Sequence, residues 1–279
     1  MYAGFYMTKR SASWMGAHQK FNRASFAALR DLIVNQPDRI TNQKVFSIFP
    51  EIKTINKYEG YNGPDGIKVK SPAQDEPWHY YNPLDDDDKE IFPLIMQHYH
   101  NLREALSKND NEKAAFEASW LSHTITDGLT PAHHYPYEAE ITKELGRSSE
   151  DRTSKSQKLV ARGDSVIDTI KRNYRIHGGK GILTSHLHFE AGITATLILH
   201  RIRSGKPSDI ELEFAREQGI IEVFKRTAEE ISRLNLYNKF HEKGWTRRMA
   251  RTVREDLSPS IVRTVTTAWF LALEESLQE

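Results

Sequence analysis

Residues 111–133 read NEKAAFEASWLSHTITDGLTPAH, and this stretch carries both a helical pattern and the most distinctive chemistry of the chain. The pattern predicts a helix from Asn111 to Asp127 that stops at Gly128, because a glycine commonly ends a helix. His123 and Asp127 are four residues apart and therefore share one face of that helix. The stretch thus predicts a rigid element that presents a histidine and a carboxylate together.

Helical periodicity extends over most of the chain, and no segment shows the sustained alternation of a β-strand. We therefore predict an all-α fold in one domain over residues 1–279, with residues 1–13 as an extension. The other predicted helices cover about 17–34, 91–106, 190–203, 210–233 and 259–277. Two long loops are predicted at about 37–85 and 134–185, the second as an exposed excursion containing the polar run GRSSEDRTSKSQK.

The composition excludes several classes of protein and of metal site. The formal charge is +1, which gives no global field for capturing nucleic acid. With no cysteine, the chain has neither disulfides nor thiolate ligands, so histidine, aspartate and glutamate remain as strong metal ligands. No apolar run reaches the length of a membrane helix, and residues 1–13 are too short and too broken by polar residues for a signal peptide.

Eight side chains of metal-binding type follow one another in a regular order. They are His18, Asp65, His79, His123, Asp127, His133, His186 and Glu190. His186 and Glu190 have the same four-residue spacing as His123 and Asp127, so the two residues of each pair can bind one cation from a single helix. Asp65 precedes His79 by fourteen residues. These pairs predict metal binding by histidine and carboxylate side chains.

Other polar features are interpreted as structural. The acidic run from Asp85 to Asp88 suits a helix start better than a calcium loop, because it lacks the alternating ligands and central glycine. The basic stretch from Lys239 to Arg254 is interpreted as a solvated helix face rather than a patch for nucleic acid or lipid phosphate. The remaining histidines singled out as structural are His98, His100, His134, His188, His200 and His241.

The order and spacing of the eight residues resemble the bacterial zinc-dependent phospholipase C family. The likeness runs from about Ala17 to Glu190 and is sharpest at AHQKFNRA, HYYNP and HTITDGLTPAH. The family has an all-α fold with a trinuclear zinc site, and the resemblance implies that all eight of its side-chain ligand positions are filled here. Its members are secreted, whereas residues 1–13 do not predict an export signal.

The resemblance also implies a role for each residue. One zinc ion would be held by His79 and His123 and another by a second group, with Asp127 placed to bridge cations. That second group is His133, His186 and Glu190. Asp65 is the candidate catalytic residue, either as a metal ligand or as the acceptor of the attacking water's proton.

A third zinc ion of the family is bound partly by the amino and carbonyl groups of an N-terminal tryptophan. Here the nearest tryptophan is Trp14, four residues before His18. Met1 to Ser13 would block its amine unless they were removed, so two or three zinc ions are expected. A chain beginning at Trp14 should gain metal and activity if that amine is a ligand.

The function that the resemblance implies is zinc-dependent hydrolysis of phospholipids, in which metal-activated water attacks phosphorus. The substrate would be a phospholipid at a membrane surface. Choline-specific relatives have an aromatic residue directly after the loop aspartate, where this chain has Gly66. Because a quaternary ammonium needs aromatic faces, weak head-group discrimination is expected.

Two alternatives stay open. The single-strand-specific zinc nucleases of fungi and plants use the same ligand set, and nucleic acid would be a partner only in that case. Glu190 and the fourteen-residue step favour the phospholipase branch, while aromatic stacking platforms beside the metals would favour a nuclease. The other alternative is a catalytically silent metal-binding domain, although a scaffold has no need for an open polynuclear site.

Overall fold

Helices account for most of the architecture in the computed structural model, which describes residues 16–35, 48–202 and 205–278. In chain order they are α1 (Ala17–Asn35), α2 (Ile52–Ile55), α3 (Pro64–Lys70), α4 (Ile91–Ser107), α5 (Asn111–Gly128), α6 (Tyr137–Leu145), α7 (Lys155–Leu159), α8 (Val166–His177), α9 (Ile182–Leu199), α10 (Asp209–Ser232), α11 (Leu236–Lys243), α12 (Arg247–Thr252) and α13 (Ser258–Ser276). No strand occurs among these residues, which confirms the all-α prediction. None of the helices described is long and apolar enough to cross a membrane.

The C-terminal helix α13 forms the centre of the main core. Most of its side chains are buried, and α1, α4, α5 and α10 all pack against it. Trp269 of α13 is fully buried and donates from Nε1 to the carbonyl oxygen of Ala118 at 3.0 Å. This bond fixes α5, which carries the central histidine and aspartate, to the core of the domain.

Helix α5 begins and ends for identifiable reasons. The side chain of Asp110 caps its first turn by accepting from the backbone N–H of Lys113 at 3.1 Å. At the other end, Gly128 is the last helical residue and does not adopt the left-handed conformation of a glycine cap. A Cβ at this position would lie 2.6 Å from Ile91 Cδ1 and 2.8 Å from Phe224 Cζ. The glycine is therefore required by close packing, not by termination of the helix.

The prediction of a long loop at 134–185 is wrong, although most side chains of this segment are exposed or half-buried, as predicted. This segment contains α6, α7, α8 and the first turn of α9. Its polar run contributes a buried side chain, since Arg152 is 2% exposed and its Nη2 donates to Thr142 Oγ1 at 2.9 Å and Glu138 Oε1 at 2.7 Å. A small core of Ile141, Leu145, Ala161 and Ile176 holds these helices together.

Two further boundaries differ from the prediction. The region predicted as a loop at 37–85 contains α2 and α3 and short 3₁₀ turns at Asn56–Tyr58, Gly60–Asn62 and Ala73–Asp75, while residues 36–47 lie outside the described part. Helix α9 covers Ile182–Leu199 and not 190–203, so both members of its predicted ligand pair are helical. The extension at 1–13 and Trp14 also lie outside the described residues.

Candidate metal centre

The structure places all eight predicted ligands inside the protein. They come from α1, α3, the extended segment before α4, α5, a 3₁₀ turn at Pro131–His134, and α9. Each is at most 7% exposed: His18, Asp65, His79, His123, Asp127, His133, His186 and Glu190. Seven of them belong to groups whose ligand atoms converge, and His79 does not.

The first convergence lies at the C-terminal end of α5. His123 Nε2 is 3.3 Å from Asp127 Oδ2, as the four-residue spacing predicts, and 3.7 Å from Asp65 Oδ1. The other oxygen of Asp127, Oδ1, is 3.2 Å from His18 Nε2. The rings of His18 and His123 are stacked, with centroids 3.8 Å apart. Asp127 therefore offers one carboxylate oxygen to each of two histidines.

The second convergence joins α9 to the 3₁₀ turn. Glu190 Oε1 lies 2.9 Å from His133 Nε2 and 3.0 Å from His186 Nε2. The two imidazole rings are stacked, with centroids 4.8 Å apart. His133 Nδ1 is also 4.0 Å from Asp127 Oδ2, so the two ligand groups are neighbours in one cluster.

These separations fit a tetrahedral cation. Zinc ligands at about 2.0–2.1 Å from the ion lie about 3.3 Å from one another, close to the observed contacts. Among the described residues, His186 Nδ1 is buried without a hydrogen-bond partner, although a buried polar atom normally has one. Burial lowers the pKa of His133 to about 4, so its imidazole is in the neutral form that binds metals.

His79 lies beside the cluster with its ring held by the backbone. Its Nδ1 donates to the carbonyl oxygen of Pro77 at 2.9 Å, and its own carbonyl accepts from His133 Nδ1 at 3.0 Å. The His79 and His133 rings are 5.0 Å apart. Because each Nδ1 is used by a carbonyl, the Nε2 atoms are left as the ligand atoms, which is the usual way a protein orients a metal-binding histidine.

Glu59 is a site residue that the sequence did not reveal. It is 1% exposed, and its Oε2 accepts from His123 Nδ1 at 3.0 Å. Asn22 donates to the other oxygen at 3.1 Å, and Ser122 donates to Asn22 Oδ1 at 2.6 Å. Burial lowers the pKa of His123, but the carboxylates of Glu59 and Asp127 outweigh it and raise that pKa to about 9. A bound cation would take the place of that proton.

Substituting Glu59→Gln is expected to weaken metal binding by about 10- to 100-fold, because the carboxylate that orients His123 and strengthens it as a ligand is lost. Isothermal titration of the metal-free protein with zinc measures this change. A Glu112→Gln variant is the control, since Glu112 is an exposed carboxylate paired with Tyr58 and Lys57 away from the cluster. Unchanged zinc affinity in Glu59→Gln would show that Glu59 does not support the site.

Lys68 is a second residue that sequence analysis missed, and it introduces a charge into the cluster. Its Nζ lies 3.0 Å from Asp65 Oδ1 and 3.0 Å from Asp127 Oδ2. Burial lowers the pKa of this ammonium, but the two carboxylates outweigh it and hold that pKa above its usual range. Although burial opposes it, the same ion pair lowers the pKa of Asp65 to about 2. The lysine is therefore charged and occupies the oxygens expected to hold one metal ion.

Aromatic side chains line one edge of the cluster. Tyr80 and Tyr137 are stacked on each other with centroids 5.4 Å apart, and Tyr80 lies 4.2 Å from the ring of His79. Tyr137 lies 5.0 Å from the ring of His186. Burial raises the pKa of Tyr80 well above its usual value, so its phenol is neutral. We call these two residues the tyrosine rim.

Gly66, which follows Asp65 in α3, cannot carry the aromatic side chain that the family resemblance associates with choline specificity. A Cβ at Gly66 would lie 2.1 Å from the carbonyl oxygen of Tyr61, so no side chain fits without moving the backbone. Aromatic faces reach the cluster from the tyrosine rim instead.

Two of the histidines interpreted as structural have well-defined partners outside the cluster. His98 Nδ1 donates to Glu117 Oε2 at 2.7 Å, in a buried pair between α4 and α5. His134 Nε2 donates to the carbonyl oxygen of Gly128 at 3.0 Å. Among the described residues, neither belongs to a group of three convergent ligands.

Comparison with known proteins gives no assignment. No family model matches the chain, and no curated protein or solved structure is significantly similar to it. Inferences about function therefore depend on the residues of the cluster and their geometry.

Proposed function

We propose that the chain is a zinc-dependent phosphodiesterase of phospholipase C type, which hydrolyses phospholipids on the glycerol side of the phosphate. The observation that carries this proposal is the meeting of two buried ligand groups at Asp127, whose Oδ2 lies 3.3 Å from His123 Nε2 and 4.0 Å from His133 Nδ1. Two neighbouring sites of this kind suit a pair of divalent cations, which is a common arrangement for displacement at phosphorus.

The donor set supports zinc in particular. The cluster offers imidazole and carboxylate groups without a thiolate, and the observed spacing suits a tetrahedral ion. The cluster contains four buried carboxylates, from Glu59, Asp65, Asp127 and Glu190, against two cations, Lys68 and protonated His123, which leaves an excess of negative charge for bound metal to balance. When bound, zinc would polarise the phosphoryl oxygens and lower the pKa of a water toward neutrality.

The protein's own groups would position the substrate and move the proton. Asp65 keeps the two roles that the family resemblance gives it, metal ligand or proton acceptor, since its Oδ1 lies within the cluster beside His123. His133, His186 and Glu190 would hold the second cation from rigid elements. The tyrosine rim would contact the non-reacting part of the substrate beside His79 and His186.

The tyrosine rim also supports a second candidate, a nuclease with the same metals. Aromatic side chains next to a phosphodiesterase site can stack a nucleic-acid base, and every base offers a face for such stacking. Here the inner faces of Tyr80 and Tyr137 cover each other, so only their outer faces can meet a ligand. We rank the nuclease second for this reason and because Glu190 favours the phospholipase branch.

Metal analysis combined with substrate assays tests the proposal. Zinc-loaded protein is expected to release phosphorylated head group from phosphatidylcholine and phosphatidylethanolamine micelles at rates within about tenfold of each other, because Gly66 contributes no aromatic face for the quaternary ammonium at the position after Asp65. Zinc-dependent degradation of single-stranded DNA or RNA without lipid hydrolysis would replace the proposal with the nuclease. If the protein binds zinc but has neither activity, the remaining alternative is a catalytically silent metal-binding domain.

A further inference from the structure

Helix α8 has its apolar side turned away from the protein. Val166, Ile167, Ile170 and Tyr174 are 77%, 66%, 63% and 71% exposed. At about 100° per residue these four side chains fall within an arc of about 100°, so they form one continuous stripe. Isolated exposed apolar residues are common on protein surfaces, whereas a stripe on one helix indicates a surface that another body covers.

The polar side of α8 is hydrogen-bonded to the rest of the protein, and these bonds keep the stripe facing outward. Asn173 Nδ2 donates to the carbonyl oxygen of Ala161 at 2.8 Å, and Asn173 Oδ1 accepts from the N–H of Ala161 at 3.2 Å. Thr169 Oγ1 accepts from the N–H of Gly163 at 3.0 Å. Rotating the helix to bury the stripe would break these bonds, so its outward orientation is built into the fold.

The segment that carries the stripe has more positive than negative charge, although Lys158 and Arg175 pair with Glu76 and Glu144. Between Lys155 and Lys180 the chain has seven lysines and arginines and two aspartates, although the whole chain has a net charge of only +1. Arg162, Lys171 and Lys180 are exposed. This combination of an apolar stripe with cationic flanks is the pattern of a helix that lies in a membrane interface and contacts anionic lipids.

The apolar surface continues beyond the end of the helix. His177 Nε2 donates to the carbonyl oxygen of Leu159 at 2.7 Å, which places Leu159 and Val160 beside the C-terminal end of α8. Both side chains are exposed. We call the stripe together with these two residues the α8 face.

Helix α8 is a neighbour of two helices that carry residues of the proposed active site. Helix α8 packs against α6 and α9. These two helices carry Tyr137 of the tyrosine rim and the ligands His186 and Glu190. A body that covers the α8 face would therefore be separated from these two helices by α8 itself.

We propose that the α8 face docks the protein on an anionic lipid surface. A second copy of the chain fits less well, because two such faces would bring their positive charges together. Docking is independent of the proposed hydrolysis, since none of its residues belongs to the cluster.

Vesicle flotation of the full chain tests this inference. Binding is expected to vesicles of phosphatidylcholine containing phosphatidylserine, and to be weaker with phosphatidylcholine alone or at high salt. The double variant Ile167→Ser, Ile170→Ser should lower the partition coefficient by roughly 10- to 100-fold, because two apolar side chains lose their burial in the bilayer. Ile210→Ser is the matched control, since Ile210 is 82% exposed on α10, outside the α8 face.

Hydrolysis of a dissolved short-chain phospholipid separates docking from catalysis. The double variant should retain this activity while losing vesicle binding. Vesicle binding by wild-type protein without any hydrolysis would contradict the proposed function but would still support the docking inference. The docking inference is overturned if wild-type protein does not float with anionic vesicles, if Ile210→Ser has an equal effect, or if sedimentation shows a dimer that the double variant abolishes.

Discussion

Replacing Asp127 by asparagine is expected to remove most of the bound metal and to lower phosphodiesterase activity by at least about 100-fold, since losing a ligand should cost no less than losing its supporting partner. Asp127 is 0% exposed and gives one oxygen to His18 and the other to His123, at 3.2 and 3.3 Å. An amide at this position loses the negative charge and one of the two oxygen atoms. It cannot bridge two cations as a carboxylate does.

Plasma emission analysis of the purified variant measures its metal content, and the lipid assay measures its activity. Glu117→Gln is a matched control, because it alters a buried carboxylate on the same helix that pairs with His98 outside the cluster. The control should retain its metal. Full metal content in Asp127→Asn, or an equal loss in both variants, would contradict the bridging role.

The parts of the site that were predictable from sequence depend on local geometry. A helix places residues four apart on one face whatever surrounds it, and both pairs converge: His123 with Asp127, and His186 with Glu190. The all-α class was equally accessible, because helical periodicity is a local property of the chain. How the two pairs meet depends on long-range packing, and only the family resemblance suggested it.

The residues that sequence analysis missed reach the cluster over long distances or from a segment interpreted as a loop. Glu59 is sixty-four residues from His123, so no spacing connects them. Lys68 is three residues after Asp65 and shares its face only because Pro64–Lys70 is helical, whereas this region was predicted as a loop. The charge of the site was therefore the least predictable of its properties.

The helices of segment 134–185 were missed for a related reason. One residue of its polar run, Arg152, is buried and pairs with Glu138 and Thr142, so a polar sequence did not exclude packed helices. In α8 four of the five large apolar side chains are exposed, and only Ile176 is buried. Hydrophobic periodicity identifies a helix, but it does not show which side faces the protein.

Lys68 makes the metal-free cluster stable, and this has a consequence for metal binding. Its ammonium contacts Asp65 Oδ1 and Asp127 Oδ2 at 3.0 Å each. His123 Nε2 lies 3.7 Å and 3.3 Å from the same two oxygens, so a cation held by these three ligand atoms must share its oxygens with the lysine. Two positive charges at such a distance repel strongly inside a protein. The group formed by His133, His186 and Glu190 has no such competitor among the described residues and should fill first.

Substituting Lys68→Met is therefore expected to lower the stability of the metal-free protein and to raise its affinity for zinc. Without metal, two buried carboxylates lose their cation, which should lower the free energy of unfolding by about 2 to 3 kcal/mol. This is somewhat less than the cost of breaking a fully buried pair, because Lys68 is 19% exposed. With zinc, the affinity of the weaker site should rise at least about tenfold, because the competing charge is gone. Thermal unfolding and zinc titration measure the two effects, and Lys70→Met, on the same helix but bonded to the carbonyl oxygen of Tyr61, is the control. If Lys68→Met lost zinc affinity as Asp127→Asn is expected to, the ammonium would be a support for the metal centre and not its competitor.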